Sequence, residues 1–429
     1  MSTTFVYMLE EQVQAAYERF RTSQNNFLPG IAYGFDDGDV FHVYTSVPKV
    51  HIAGYPCHSA IQFLVKMPDA EESLGIVTKI GETIGNNPNP VVILLLAAED
   101  KRLEHRVFIF ISGQFREASL KFIPEQSELY SRSQGLLETS VLANRRVGVV
   151  GLGSGGSTVA LELAKAGVGN FVLIDFDRME LANISRHVCG IGDLGRYKTK
   201  AVRDLLYARN PYIKVKTAEI NINTNLEETN SLLKDCDLII AATDNDRSRF
   251  NLNQIALQYK VPTIFGRAIT RAAGGDVLRV RPYQGPCLAC IFTNDFLKSR
   301  PDEISQFSQA RSQNPAYVSD QEVKATIQVG LSCDILPISN MIVKLALVEL
   351  SGGCKASGLV SLAEDLVADF YIWANRRELS YANYLKMGYS SKTPSILRWY
   401  GAKYERDLSC FVCGDQPESF LFEDNIFAG

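Results

Sequence analysis

Gly151, Gly153 and Gly156 form G-x-G-x-x-G directly after the apolar run 147–150. Glycines at that spacing allow a tight turn and the close approach of a ligand, and the N–H groups that open the next helix face an anion. A glycine-rich structural turn is the plainer alternative. Asp175, Arg186, Lys198 and Asp244 follow in order. A carboxylate at the end of the second strand suits ribose hydroxyls, two cations suit phosphates, and Asp244 suits Mg²⁺. Surface ion pairs and helix caps are the alternative for this set. No G-x-x-x-x-G-K-[ST] occurs, so this is not a P-loop. Two cations and an acid beside the turn favour a triphosphate with metal over a dinucleotide.

Cys287 and Cys290 form one C-x-x-C pair, and Cys410 and Cys413 form another. Each pair places two thiolates on one tight turn, and two such turns complete a closed tetrahedral Zn²⁺ site without an open catalytic position. The pairs lie further apart than in compact zinc ribbons, so whether they share one ion stays open here. Cys333 lies between a polar crossover and the start of an apolar helix. A helix N-terminus lowers a thiol pKa, whereas the neighbouring Asp334 opposes the thiolate. A nucleophile and a packing residue at the helix start are both open for it. Cys189 and Cys236 read as small buried hydrophobes. His51, Cys57 and His58 lack a ligand spacing and read as packing or surface residues.

The elements that must position these residues follow from the pattern. From 147 onward, predicted strands (147–150, 171–175, 214–220, 238–242, 261–265) alternate with predicted helices (158–166, 198–209, 249–259). Such alternation predicts a mostly parallel, doubly wound α/β sheet, in which strand C-termini converge on one crevice. Residues 277–281 begin an antiparallel extension, and 335–350 read as an apolar helix. Between them, 295–325 read as a polar crossover loop. Residues 1–125 are expected to form a separate α+β domain, with a helix over 10–21, strands over 88–98 and 105–112, and a hairpin near Gly113. Residues 126–429 form the second domain, in which 351–429 extend from the sheet and close the zinc site.

Composition excludes several classes. The 429 residues suffice for two or three domains. An apolar fraction of 46% and a charged fraction of 21% are ordinary for a globular chain, and a net charge of −4 argues against nucleic acid and anionic membranes as partners. The longest apolar runs, such as 91–98, are strand-sized. No basic segment followed by an apolar run opens the chain, so no secretory signal is expected. Nine cysteines, four of them in C-x-x-C pairs, suggest a reducing compartment, with the cytoplasm as the expected location.

The motifs G-L-G-S-G-G, D-F-D-x-x-x-x-x-N-x-x-R, G-x-x-K and T-D-N-x-x-x-R-x-x-x-N, in this order, resemble the ThiF/MoeB superfamily, which includes the ubiquitin-activating enzymes. The resemblance covers residues 128–350 and the last cysteine pair. It implies a Rossmann-like adenylation domain, usually dimeric, that uses Mg–ATP to adenylate the C-terminal carboxylate of a ubiquitin-like protein or a peptide. It implies that Gly151, Gly153, Gly155 and Gly156 cradle ATP and that Asp175 meets the ribose. Asn183, Arg186 and Lys198 would meet phosphates, and Asp244 would meet Mg²⁺. Arg132, in Y-S-R-S-Q, is similar to an arginine that reaches the partner subunit's ATP, which implies a homodimer. His187 stands where the family usually has Gln. Thioester-forming members carry their cysteine slightly earlier than Cys333, at 328 or 329 here. Handover to a conjugating enzyme would follow a thioester. The N-terminal domain and long crossover resemble activating enzymes of bacterial ubiquitin-like operons, some of them antiphage. Adenylation of a peptide in natural-product maturation, a NAD-dependent oxidoreductase and an inactive subunit of a heterodimer are the other readings.

Overall fold

The computed structural model describes residues 4–22, 26–35, 40–48, 52, 54–84, 89–99, 102–111, 113–123, 129–133, 135–269, 272–292, 330–366, 368–376 and 396–415. The crossover at 295–325, His51, Gln134 and much of 351–429 lie outside them. The chain divides into two compact units, Met1–Ser131 and Arg132–Gly429.

In the first unit, seven strands close into a barrel: β1 (Phe5–Leu9), β2 (Phe27–Gly34), β3 (Val40–Tyr44), β4 (Tyr55–Leu64), β5 (Val91–Glu99), β6 (Arg102–Ile111) and β7 (Gln114–Ile123). Closure comes from β1, which pairs in parallel with both β3 and β7. The continuous apolar run of β5 has a simple cause, because the strand is covered on both faces. Val92, Leu94 and Leu96 pack with Val13 and Ala16 of the helix Glu10–Thr22. Val91, Ile93 and Leu95 pack with Val77 and Ile80 of the helix Ala70–Ile84. Gly113, with φ of 80°, makes the tight turn between β6 and β7. Neighbouring strand residues point to opposite faces, so Cys57 is buried and His58 exposed.

In the second unit, eight strands form one sheet in the order β10-β9-β8-β11-β12-β13-β14-β15. They are β8 (Arg146–Val150), β9 (Asn170–Ile174), β10 (Lys214–Ala218), β11 (Leu238–Ala241), β12 (Thr263–Ala268), β13 (Gly274–Val280), β14 (Phe370–Ala374) and β15 (Arg398–Ala402). Neighbouring strands from β10 to β12 are parallel, and those from β12 to β15 are antiparallel. Strand order reverses between β8 and β11, which defines a crevice at their C-terminal ends. Three helices begin earlier than the periodicity predicts. The glycine-turn helix runs Ser154–Lys165 and takes Gly155 and Gly156 into its first turn. The helix Asp246–Tyr259 starts where Asn245 Oδ1 accepts the Ser248 N–H at 2.8 Å. The helix Ser332–Leu350 encloses Pro337 and places Cys333 in its first turn, inside the helix. Between 129 and β8, the described residues form a 3-10 turn at Ser131–Ser133 and the short helix Thr139–Leu142.

Candidate nucleotide site and metal centre

The glycine turn is built by close contacts. Gly151 has φ of 84°, and a Cβ there would lie 2.6 Å from the Ala242 carbonyl oxygen. At Gly156 a Cβ would collide with the Gly151 carbonyl oxygen. Both residues must be glycine for β8, the helix Ser154–Lys165 and the end of β11 to meet. Gly153, the N-cap of that helix, differs: nothing lies within 4 Å of the position its Cβ would take. The helix N-terminus therefore opens onto free space, where its N–H groups can receive an anion.

Hydrogen bonds stitch neighbouring segments to the turn. Asp175 Oδ2 accepts the Leu152 N–H at 2.6 Å, and its Oδ1 accepts the Asp177 N–H at 2.8 Å. Burial pushes the Asp175 carboxyl up, while Lys198 and these N–H donors pull it down. Asp175 thus braces the turn at the crevice floor, a role beyond the ribose contact expected of it. Lys198, buried at the start of the helix Lys198–Arg209, donates to Asp177 Oδ2 at 2.8 Å. Asp177 is a residue that spacing alone missed. The second acid of D-F-D was the available signal.

Arg186 is held through its backbone, because Ser154 Oγ donates to its carbonyl at 2.6 Å. His187 Nδ1 accepts the Cys189 N–H at 3.1 Å, so Nε2 carries the proton and donates to the Leu152 carbonyl at 2.7 Å. Burial keeps His187 below the usual histidine range. The Arg186 guanidinium is half-buried, and burial lowers its pKa. Among the described residues no carboxylate pairs with it. Asn183 Oδ1 accepts the Glu180 N–H at 3.0 Å and shapes the turn before Arg186. Asp244 is exposed, two residues beyond the Ala242 that abuts Gly151. The glycines, Asp175, Arg186, Lys198 and the 242–244 turn therefore share one crevice.

Cys333 and Arg132 stand differently. Cys333 is exposed, with its Sγ 3.8 Å from Asp334 Oδ1, and Asp334 pairs with Arg376 at 3.1 Å. Its helix packs on the glycine turn, where Ser339 Oγ donates to the Gly155 carbonyl at 3.4 Å. Cys189 and Cys236 are buried, and burial pushes both thiols up to about 12, which suits packing and not nucleophilic attack. Arg132 is exposed at the start of the second unit.

Cys287, Cys290, Cys410 and Cys413 bring four sulfurs within 4.8 Å of one another. The close pairs are 3.8, 3.8 and 3.4 Å apart. Tetrahedral Zn–S bonds of about 2.3 Å require sulfurs roughly 3.8 Å apart, so the donor set fits one Zn²⁺. The surrounding hydrogen bonds match a built site. The Val412 N–H points to Cys410 Sγ at 3.5 Å, Arg406 Nε donates to the Cys413 carbonyl at 2.9 Å, and the Leu288 N–H donates to Asn253 Oδ1 at 3.0 Å.

Several known proteins are similar to the chain over part of its length. The probable adenylyltransferase/sulfurtransferase MoeZ of Mycobacterium tuberculosis is 37% identical over 126 residues, covering 29% of this chain and 32% of MoeZ. The molybdopterin-synthase adenylyltransferase of Escherichia coli is 36% identical over 153 residues, covering 35% of this chain and 59% of that enzyme. Ubiquitin-like modifier-activating enzyme 5 of Caenorhabditis elegans is 28% identical over 180 residues, covering 38% and 43%. The chain thus spans from about a third to under two thirds of the length of these relatives. Among solved structures, E. coli MccB with MccA-N7isoASN is similar at a TM-score of 0.46 and 19% identity, covering 65% of this chain and 69% of that one. The ThiF family model matches residues 126–356, more than half of the 429 residues, and the chain belongs to the ThiF family.

Proposed function

We propose that this protein is an ATP-dependent adenylyltransferase that activates the C-terminal carboxylate of a ubiquitin-like protein. A carboxylate oxygen attacks the α-phosphorus of ATP, the bond to the bridging oxygen breaks, and pyrophosphate leaves. The step needs in-line geometry and neutralised phosphate charge more than a general base. The glycine turn receives phosphate on its helix N-terminus, Arg186 and Lys198 bring positive charge, and Asp244 holds Mg²⁺. One observation carries the reading. Arg186 is a half-buried cation with no carboxylate partner among the described residues, beside an open helix N-terminus. A half-buried charge gains from a counter-charge, and a phosphate would supply one. A dinucleotide would also offer Arg186 a phosphate, but it leaves Asp244 without a metal to hold.

The name of ubiquitin-like modifier-activating enzyme 5 supports the substrate class. Cys333, exposed in the first turn of a helix that packs on the glycine turn, is the thiol proposed to attack the acyl-adenylate as its thiolate. The C–S bond forms, the acyl–phosphate C–O bond breaks, AMP leaves, and the thioester is passed to a conjugating enzyme. Zn²⁺, when bound, closes a structural site between Cys287–Cys290 and Cys410–Cys413. A role in antiphage defence and a cytoplasmic location complete the proposal.

Substrate-dependent ATP–pyrophosphate exchange, measured with small ubiquitin-like proteins encoded beside this gene, tests the reaction. Arg186→Ala and Asp244→Ala should each lower exchange by at least about 100-fold in folded protein. Undiminished exchange in both would overturn the site. Binding of NADH in preference to ATP would overturn the reaction. A DTT-sensitive adduct lost in Cys333→Ala supports the thioester, and one that persists moves it elsewhere.

A further inference from the structure

Asp244 is exposed on a short turn, yet a metal-holding carboxylate must be presented in a fixed direction. Something must fix that turn. One side is pinned where Ala242 abuts Gly151. The other side is gripped from below by Arg249, the fourth residue of the helix Asp246–Tyr259, whose side chain is only 5% exposed. Its Nη2 donates to the Thr243 carbonyl at 2.6 Å, and its Nη1 donates to Asp246 Oδ1 at 2.7 Å. One planar guanidinium therefore holds the residue just before Asp244 and the residue two after it. Asn245, between them, is fixed as the helix cap.

We propose that Arg249 is a positioning residue for Mg–ATP: its guanidinium clamps the 243–246 turn and so presents Asp244 in the crevice. The inference rests on the Mg–ATP reading above. Burying this group is costly, since its Nε has no hydrogen-bond partner. An apolar residue would fill the space without that cost, but it could not hold a carbonyl and a carboxylate at once. Lysine offers a single ammonium in place of a rigid fork and would retain only part of the clamp.

Titration calorimetry of ATP into the full-length protein, with and without Mg²⁺, tests this in wild type, Arg249→Met, Arg249→Lys, Asp244→Ala and the Arg249→Met/Asp244→Ala double variant. Arg249→Met should weaken Mg–ATP binding by about tenfold, with little change for ATP without metal, and Arg249→Lys should weaken it less. The double variant should bind no more weakly than Asp244→Ala alone, because Arg249 acts through Asp244. Thermal melting and zinc content report the fold, and if Arg249→Met fails to fold, the lysine variant and its own double with Asp244→Ala carry the comparison. Additive losses, or equal weakening with and without Mg²⁺, would assign Arg249 to the fold alone and overturn the proposal. Wild-type protein whose ATP binding is indifferent to Mg²⁺ would overturn the Mg–ATP reading as well. If only Asp244→Ala weakens binding, this inference alone fails.

Discussion

Gly153 and Gly156 sit in the same turn, and their surroundings set opposite requirements. A Cβ at Gly156 would strike the Gly151 backbone oxygen, which cannot move away without shifting β8. Gly153 has φ of −68°, which any residue adopts, and open space above it. Gly156→Ala should therefore destabilise the protein by about 3 kcal/mol or more, read as a lower midpoint in urea. Gly153→Ala should leave the unfolding free energy within about 0.5 kcal/mol of wild type while weakening ATP binding, because the methyl group enters the space a phosphate needs. A Gly153→Ala protein with unchanged ATP affinity would place the nucleotide elsewhere. At this scale the glycines, Arg186, Lys198 and Asp244 were legible as candidates from residue type and spacing. The bracing by Asp175, Asp177 and His187 was not, because it depends on which N–H or carbonyl each side chain faces.

The helix Asp246–Tyr259 links the two centres of the second unit. Its first turn carries Arg249 beneath the Asp244 turn, and one turn later Asn253 Oδ1 accepts the Leu288 N–H of the first cysteine knuckle. Gly414 closes the second knuckle, its N–H donating to the Cys410 carbonyl at 2.8 Å. Four thiolates gathered from two distant segments would gain their stability from a bound Zn²⁺, which would couple metal binding to folding of this region. Protein purified without chelator should contain one zinc per chain by elemental analysis. Cys410→Ser should lose it, with a drop in stability on the order of several kcal/mol. Absence of zinc from the wild-type protein would remove the metal from the account. The existence and type of the strands and helices around these centres followed from periodicity. Their starts did not, because Asn245 capping and glycines inside a first turn extend helices into stretches with no apolar signal.

At the scale of the whole molecule, each unit has its own core: a closed barrel in residues 4–123 and a sheet with helices in 132–415. The proposed assembly is a homodimer in which Arg132 reaches the nucleotide of the partner subunit. Arg132 is exposed and makes no ion pair among the described residues, as such a role requires. Mixing Arg132→Ala with Asp244→Ala should restore up to about a quarter of wild-type exchange, since one site of each mixed dimer is then intact. A monomer by light scattering, or no rescue once subunit exchange is verified, would contradict the assembly. No helix among the described residues is long and apolar enough to cross a membrane.

The sequence by itself determined the ThiF-type order of motifs, the alternating elements behind them and the two C-x-x-C pairs. Each is encoded locally, in residue types a few positions apart. Tertiary structure decided what depends on distant partners. Two cysteine pairs 123 residues apart in sequence became one cluster of donors because β13, β14 and β15 return the chain to the first knuckle. The strand β13 is buried throughout despite Asp276 and Arg279. Asp276 pairs with Arg267 on β12, and Arg279 pairs at 2.8 Å with Asp369, 90 residues further on. A charge inside a strand reads as exposed until its partner is known, because burial is tolerable only when the opposite charge is buried with it. The barrel was hidden for the same reason, since local alternation gives strands but not the parallel pairing of β1 with both β3 and β7 that closes them.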